Sequence, residues 1–202
     1  MTFAAIVVLG YLLGSCPWGY WLVRVFRGED VRRVGSGGIG GSNVIRAYGP
    51  WLGFPVILLD TLKGFVPAFV GVHAVSPLCG IVAGAAAMAG HYRPLYLRFE
   101  KGGKMVATAG GVFFGIAGLI ALGAAAVWLA VFGLTRYASV ASIVSALSLP
   151  VWAIVFDYPP SVIVLSCVSG AAVTFLHRGN LRRLRSGTEN RFRLRLRRAA
   201  SQ

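Results

Sequence analysis

The chain has 202 residues, a formal charge of +14, 56% hydrophobic residues and a mean hydropathy of +0.72. Apolar stretches of that extent exceed what one soluble core of this length buries, so an ordinary soluble domain is excluded. The expectation is a single integral membrane domain over residues 1–202, with a basic tail from about 185 to 202.

The charge does not point to nucleic acid. Eighteen of the 20 Lys and Arg residues fall in three short segments, Arg24 to Arg46, Arg93 to Lys104 and Arg178 to Arg198. Apolar runs separate them, which is the pattern of cytoplasmic loops in a membrane protein. Only Lys63 and Arg136 lie elsewhere.

The first apolar run, Thr2 to Val25, contains Leu13-Gly14-Ser15-Cys16, a sequence similar to a lipoprotein cleavage box. No Lys or Arg precedes the run and a signal peptide needs a positive n-region, so the run is expected to stay as a span. Further apolar stretches are Ala47 to Val75, Ser76 to Tyr92, Met105 to Leu134, Ser139 to Phe156 and Ser161 to Leu176. Cys16, Cys79 and Cys167 sit inside such stretches and read as small hydrophobes, not as disulfides or ligands. No metal site and no cofactor is expected.

Placing all three basic segments on the cytoplasmic side requires an even number of crossings between each consecutive pair. Two helices between Ala47 and Tyr92 satisfy the first interval. The second shows three apolar stretches, and parity is restored if Met105 to Leu134 breaks near Gly115 or Gly118 into two halves of little more than about 20 Å each. The expected fold is all-α and polytopic, with seven transmembrane helices, the N-terminus outside and the C-terminus cytoplasmic. Thr135 to Ser139 then lies beside the basic segments.

The first loop, Gly35-Ser36-Gly37-Gly38-Ile39-Gly40-Gly41-Ser42-Asn43-Val44-Ile45-Arg46, matches G-x-G-x-x-G, with Asp60 farther on. A dinucleotide site needs a strand before that motif, and here a membrane helix precedes it. What remains is an anion nest. Gly35, Gly37 and Gly40 let amides approach phosphate, a helix starts near Asn43, Ser36, Ser42 and Asn43 add hydrogen bonds, and Arg46 offers a bidentate fork. In the second loop Gly102-Gly103-Lys104 enters a helix in a similar way, with Thr108 one turn on, although Walker A spacing is absent. His91 suits either helix-end packing or chemistry. Asp60 and Lys63 are intramembrane charges that should pair, and either break their helix or line the site. In the third segment His177 and Asn180 share a helical face, and Glu189 fits a structural partner for arginine. The run Arg191 to Arg198 fits a topology anchor or a lipid contact.

These stretches, with Gly14 to Tyr20, Asp60-Thr61-Leu62-Lys63-Gly64, Gly90-His91, Thr135 to Ser139 and His177 to Glu189 in that order, resemble the PlsY-type glycerol-3-phosphate acyltransferases. The resemblance implies seven membrane helices and a cytoplasmic site. It also implies transfer of an acyl group from acyl phosphate to the 1-hydroxyl of sn-glycerol 3-phosphate, an early step of phospholipid synthesis in the bacterial inner membrane. The implied partners are those two substrates, membrane lipid and the enzyme that supplies acyl phosphate. Gly38, Gly41, Ser42, Arg93 and Met105 depart from the family pattern, which usually has Asn, Ala, Thr, an aromatic residue and Gly there.

Candidate catalytic residues are Ser36, Arg46, Lys104, His177 and Asn180. Candidate substrate-binding residues are Gly35, Gly37, Gly40, Ser42, Asn43, Gly102, Gly103, Thr108 and Ser142. His177 is one candidate base and the donor's own phosphate is the other, which the family favours. The H-x-x-x-x-D pattern of CoA-dependent acyltransferases is missing, since Leu78, Tyr96 and Arg182 stand five residues beyond the three histidines. A transporter or channel for organic phosphate is the alternative class, against which the polar groups gather at one membrane face.

Overall fold

The computed structural model describes residues 2–192, and the remainder of the basic tail, including Arg193 to Arg198, lies outside the described residues. The described chain is all-helical. Helix α1 (Phe3–Gly14) starts at Thr2, whose hydroxyl accepts from the Ala5 amide at 3.3 Å. Pro17 has no N–H to continue the ladder, so the chain breaks and resumes as α2 (Trp18–Arg27), which Gly28 closes at φ 70°. A short helix α3 (Gly41–Tyr48) follows the glycine-rich loop and begins two residues before Asn43.

Helix α4 (Pro50–Ala74) is the centre of the bundle, packing on α1, α3, α5 (Pro77–Tyr92) and α6 (Val106–Ile116). Small residues permit this. A Cβ at Gly111 would run into the Thr61 carbonyl, and one at Gly64 into that of Thr108. Helices in lipid gain little from burying apolar surface against each other, so backbone approach of this kind supplies the association. Asp60 and Lys63 do not break α4. They pair within it, Nζ to Oδ1 at 2.8 Å, each with 3% of its side chain exposed.

The long stretch from Met105 breaks at Ala117 (φ −156°, ψ 70°), between Gly115 and Gly118, into α6 and α7 (Gly118–Thr135). The halves are unequal, 11 and 18 residues. They reach roughly 16 and 27 Å, so the sequence-based expectation of two similar halves is corrected. Helices α8 (Ala138–Val155) and α9 (Pro160–Leu176) follow, and α9 bends by 53° into α10 (Arg178–Arg185).

Four segments are long and apolar enough to cross a membrane, namely Phe3–Arg27, α4, α7 and α8, with the bent pair α9 and α10 as a fifth. Their outward faces carry large apolar side chains such as Leu129 and Ile154, each 65% exposed, as a lipid-facing surface would. Cys79 is buried, Cys16 is half-buried and Cys167 is exposed on α9, so only Cys79 fits the expected buried hydrophobe.

Candidate active site

The glycine loop is shaped from inside by Asn43. Its Oδ1 accepts from the Ser36 amide at 3.0 Å, and its Nδ2 donates to the Val34 and Gly38 carbonyls at 3.0 and 2.9 Å. Gly35 and Gly37 take left-handed backbone (φ 60° and 69°), and a side chain at Gly35 would press on Asn43. Asn43 is 3% exposed and its polar atoms are engaged by the loop, so it organises the nest and does not face a ligand. Ser36 alone from this loop reaches the cleft wall. Gly40 and Ser42 stay at the start of α3, away from that wall.

The second turn also differs from a free nest. The Gly102 amide donates to the Tyr92 carbonyl and that of Gly103 to the His91 carbonyl, both at 3.0 Å. Their glycines are needed because the turn lies directly on His91. The amides are therefore occupied, and the turn brings Gly103 and the Lys104 side chain to the cleft wall. Thr108 is fully buried against Gly64 of α4, outside the cleft.

Lys104 Nζ donates to Asn180 Oδ1 at 2.5 Å, and Asn180 Nδ2 donates to Glu189 Oε1 at 2.6 Å. Glu189 also accepts from Ser139 Oγ at 2.8 Å and Arg183 Nε at 2.7 Å. Burial pushes the Glu189 carboxyl up, but the bonds from Asn180, Ser139 and Arg183 outweigh it and hold the group below its usual range. Glu189 is thus the partner of Arg183 that the sequence suggests. Burial, reinforced by Arg183, lowers the Lys104 ammonium to about 8.

His177 caps the junction between α9 and α10, 4% exposed. Burial, then the Lys104 charge, pushes it down to about 4, so it is neutral at ordinary pH. Its Nδ1 is 2.8 Å from the Val173 carbonyl, which can only accept, so Nδ1 carries the proton and Nε2 keeps a free lone pair.

Lys104 and Asn180 border a cleft of about 230 Å³ lined by Ser36, Tyr92, Arg93, Lys101, Gly103, Lys104, Leu176, Arg178, Gly179, Asn180, Arg182 and Arg183, and His177 and Glu189 are not part of that wall. Six of the lining residues are Lys or Arg and none is acidic, and all three basic segments contribute. They therefore meet at one end of the bundle. Tyr92 and Leu176 also border an apolar cavity of about 120 Å³ completed by Met105, Ala172 and Phe175. Arg93, Lys101, Arg178, Arg182 and Arg183 were not named as candidate site residues by the sequence reading, although Arg178 and Arg182 stand one helical turn apart and share a face.

Two further expected residues are also placed elsewhere. Ser142 is spent between α7 and α8, donating to the Ala138 carbonyl at 2.7 Å and accepting from Trp128 Nε1 at 3.2 Å. Arg46 is exposed on α3 with its guanidinium 5.1 Å from the Phe192 ring centre, outside the cleft wall, although its charge is felt at Lys104. No group of three or more His, Cys, Asp or Glu gathers among the described residues.

Fold and site together define a multi-pass helical membrane protein that presents an anion-accepting cleft at one end of its bundle. The chain belongs to the glycerol-3-phosphate acyltransferase family, whose model matches residues 4–187. It is 43% identical over 195 residues to the glycerol-3-phosphate acyltransferase of Geotalea daltonii, covering 96% of this chain and 100% of that one. Identity to the Aquifex aeolicus glycerol-3-phosphate acyltransferase is 41% over 189 residues, covering 93% and 97%. The crystal structure of PlsY, an integral membrane glycerol 3-phosphate acyltransferase, in its glycerol 3-phosphate form superposes with a TM-score of 0.90 at 40% identity, covering 95% of this chain and 96% of that one. Its lysophosphatidic acid form gives 0.87 at 38% identity, covering 95% of each.

Proposed function

We infer that this protein transfers an acyl group from acyl phosphate to the 1-hydroxyl of sn-glycerol 3-phosphate, giving 1-acyl-glycerol 3-phosphate and inorganic phosphate. The observation that carries this reading is that the cleft, whose charged residues are all cationic, shares Tyr92 and Leu176 with the apolar cavity. Both substrates bring phosphate and would repel each other, which the cationic wall offsets, and the donor also brings an alkyl chain that needs an apolar exit. The relatives named for glycerol 3-phosphate support the acceptor.

The donor is a mixed anhydride, so no covalent enzyme intermediate is required. The acceptor oxygen forms a bond to the acyl carbon, the bond from that carbon to the phosphate oxygen breaks, and the hydroxyl proton leaves with the phosphate. His177, at about 4, is a weak base for a hydroxyl. Phosphate, with a second ionisation near about 6, is the better acceptor. His177 Nε2 then accepts a hydrogen bond and orients the acceptor, with Asn180 beside it. Lys104, Ser36 and the cleft arginines hold the phosphates, and Arg46 adds field from α3.

This reading includes seven passes. Helices α4 and α5 separate the first basic segment from the second, α6 to α9 separate the second from the third, and both numbers are even. The cleft faces the cytoplasm of a bacterial inner membrane, residues 1–202 form one domain, and the enzyme making acyl phosphate is its supplier. Purified protein given labelled glycerol 3-phosphate should form a lipid-soluble product from palmitoyl phosphate and none from palmitoyl-CoA. Comparable rates from the thioester would overturn the donor assignment.

A further inference from the structure

Beneath the Gly102-Gly103-Lys104 turn lies a buried polar cluster for which acyl transfer has no direct use. Lys63 Nζ is 2.8 Å from Asp60 Oδ1 and donates to the Cys16 carbonyl, also at 2.8 Å, where α1 breaks from α2. His91 Nδ1 lies 3.7 Å from the same Asp60 oxygen and has no hydrogen-bond partner among the described residues. All three side chains are 3% exposed. Buried charge inside a membrane bundle is costly, and apolar side chains of similar volume would hold α4 on α5 at least as well. A structural pair alone therefore leaves the cluster unexplained.

The other edge of His91 supplies the reason. A Cβ at Gly103 would collide with Nε2, Cε1 and Cδ2 of the His91 ring, and one at Gly102 with the His91 carbonyl. That carbonyl also accepts the Gly103 amide at 3.0 Å. The ring is thus a flat spacer, with the Asp60 carboxylate on one edge and the turn on the other. Lys104 is the next residue in the chain, and its ammonium meets Asn180 at the cleft.

We propose that His91 is a positioning residue: packed against the Asp60–Lys63 pair, its ring fixes the height of the Gly102-Gly103 turn and thereby sets Lys104 Nζ against Asn180 in the cleft. Its importance for turnover rests on the reading that Lys104 serves acyl transfer, but its effect on Lys104 does not.

The test follows Lys104 directly. The charges around its ammonium are Arg183, Glu189, Arg46 and Lys101, with neutral His177 nearby, and none of them belongs to the buried cluster. The full-length protein in lipid nanodiscs is pulsed with acetic anhydride across a pH series, and acetylation of Lys104 is read by mass spectrometry, with exposed Lys101 as the internal standard. Wild type should show a midpoint near 8. His91→Ala lets the turn settle and hydrates Lys104, so its midpoint should rise by about one pH unit or more. Asp60→Asn should move it in the same direction and His91→Gln by less, while Ser166→Ala, buried within α9, should leave it in place. A midpoint unchanged in folded His91→Ala and Asp60→Asn would overturn the proposal.

A double-mutant cycle supplies the second arm and stands if His91→Ala proves poorly folded in one preparation but not in the pair. Gly103→Ala alone should lower kcat/KM about a hundredfold, because the turn is pushed out of place. With His91→Ala the new methyl group has room, so the double variant should be no worse than His91→Ala alone. Multiplicative losses would show that the ring and the turn do not act through each other. A shifted Lys104 midpoint without acyl transfer in wild type would leave His91's role intact and refute the activity instead.

Discussion

Lys104 and Asn180, 76 residues apart in sequence, are joined by a 2.5 Å hydrogen bond from Nζ to Oδ1. The contact fastens the loop after α5 to α10, and through Asn180 Nδ2 it runs on to Glu189. Asn180 is thereby engaged on both atoms, with one lone pair and one N–H left over, and its amide orientation follows from having a donor on one side and an acceptor on the other. A phosphate entering the cleft meets a lysine whose position is already set, which lowers the ordering cost of binding.

The depressed Lys104 pKa gives a pH dependence with a definite sign. Lys104 must be charged to hold phosphate, and it titrates at about 8. Affinity for glycerol 3-phosphate should therefore weaken as pH rises through that value, and Lys104→Arg should carry binding to higher pH. Stability runs the other way. The unfolded lysine keeps its proton to about 10.4, so between the two pKa values the unfolded state binds more protons and this group's contribution to folding becomes more favourable. Isothermal titration against glycerol 3-phosphate from pH 6 to 10 checks the first sign, and thermal melts over the same range check the second.

Glu189 should behave as the anchor of the tail. Replacing it with Ala leaves Asn180, Ser139 and Arg183 each without an acceptor, at about 1–3 kcal/mol for a buried unsatisfied partner. Ser139→Ala removes one donor only and should cost less. Because the folded carboxyl is held below its usual value, its stabilisation is present above the unfolded pKa and lost as pH falls through the folded one. Melting temperatures in detergent for Glu189→Ala, Glu189→Gln and Ser139→Ala should rank in that order of damage. Equal losses for Glu189→Ala and Ser139→Ala would contradict it.

Much of the frame was legible because charge and hydropathy are global signals. Parity of the basic segments called for a break in Met105 to Leu134, and the chain breaks at Ala117. The meeting of Lys104 with Asn180 has no such signal, since nothing local in either segment records a partner so far along the chain. The structural parts played by Asn43, Gly102 and Gly103 were not legible for a related reason. Glycines and small polar residues suit an anion nest and a tightly packed turn equally, and only the neighbours Ser36 and His91 separate the two. Arg183 was hidden by abundance, one arginine among many in the tail, until the Glu189 contact distinguished it.

Topology follows from the convergence of the basic segments. Cysteines placed singly at Arg98 and Ser186, both exposed, in a background without Cys16, Cys79 and Cys167, should be labelled from the same cytoplasmic side of sealed vesicles. Labelling from opposite sides would mean an odd number of crossings between them.

Charge clamps without an obligatory nucleophile give a distinctive kinetic pattern. Lys104→Ala should lose about 3 kcal/mol of transition-state stabilisation, roughly a hundredfold in kcat/KM, and Arg46→Ala, which removes a charge outside the cleft wall, should lose less. Arg46→Lys keeps the charge and should therefore restore most of that smaller loss. His177→Asn should retain measurable activity. An acyl group trapped on Ser36, Ser42 or Ser142 after a pulse of donor without acceptor would instead require a ping-pong route.

Met105 combines two opposed effects. It holds a left-handed backbone at φ 67°, which costs a side chain about 1 kcal/mol. Its own side chain is 8% exposed and forms a wall of the apolar cavity with Tyr92, Ala172, Phe175 and Leu176. Burial of a methionine is worth about 2 kcal/mol, so Met105→Gly should lower stability only slightly, by about 1 kcal/mol net. Met105→Ala loses the side chain yet keeps the strain, and should be the less stable of the two. If the cavity takes the acyl chain, both should widen the range of donors accepted, raising kcat/KM for branched acyl phosphates relative to palmitoyl phosphate. Melting curves for the two variants and a donor competition assay measure these effects separately, and an unchanged donor ranking with the expected stability order would place the acyl chain elsewhere.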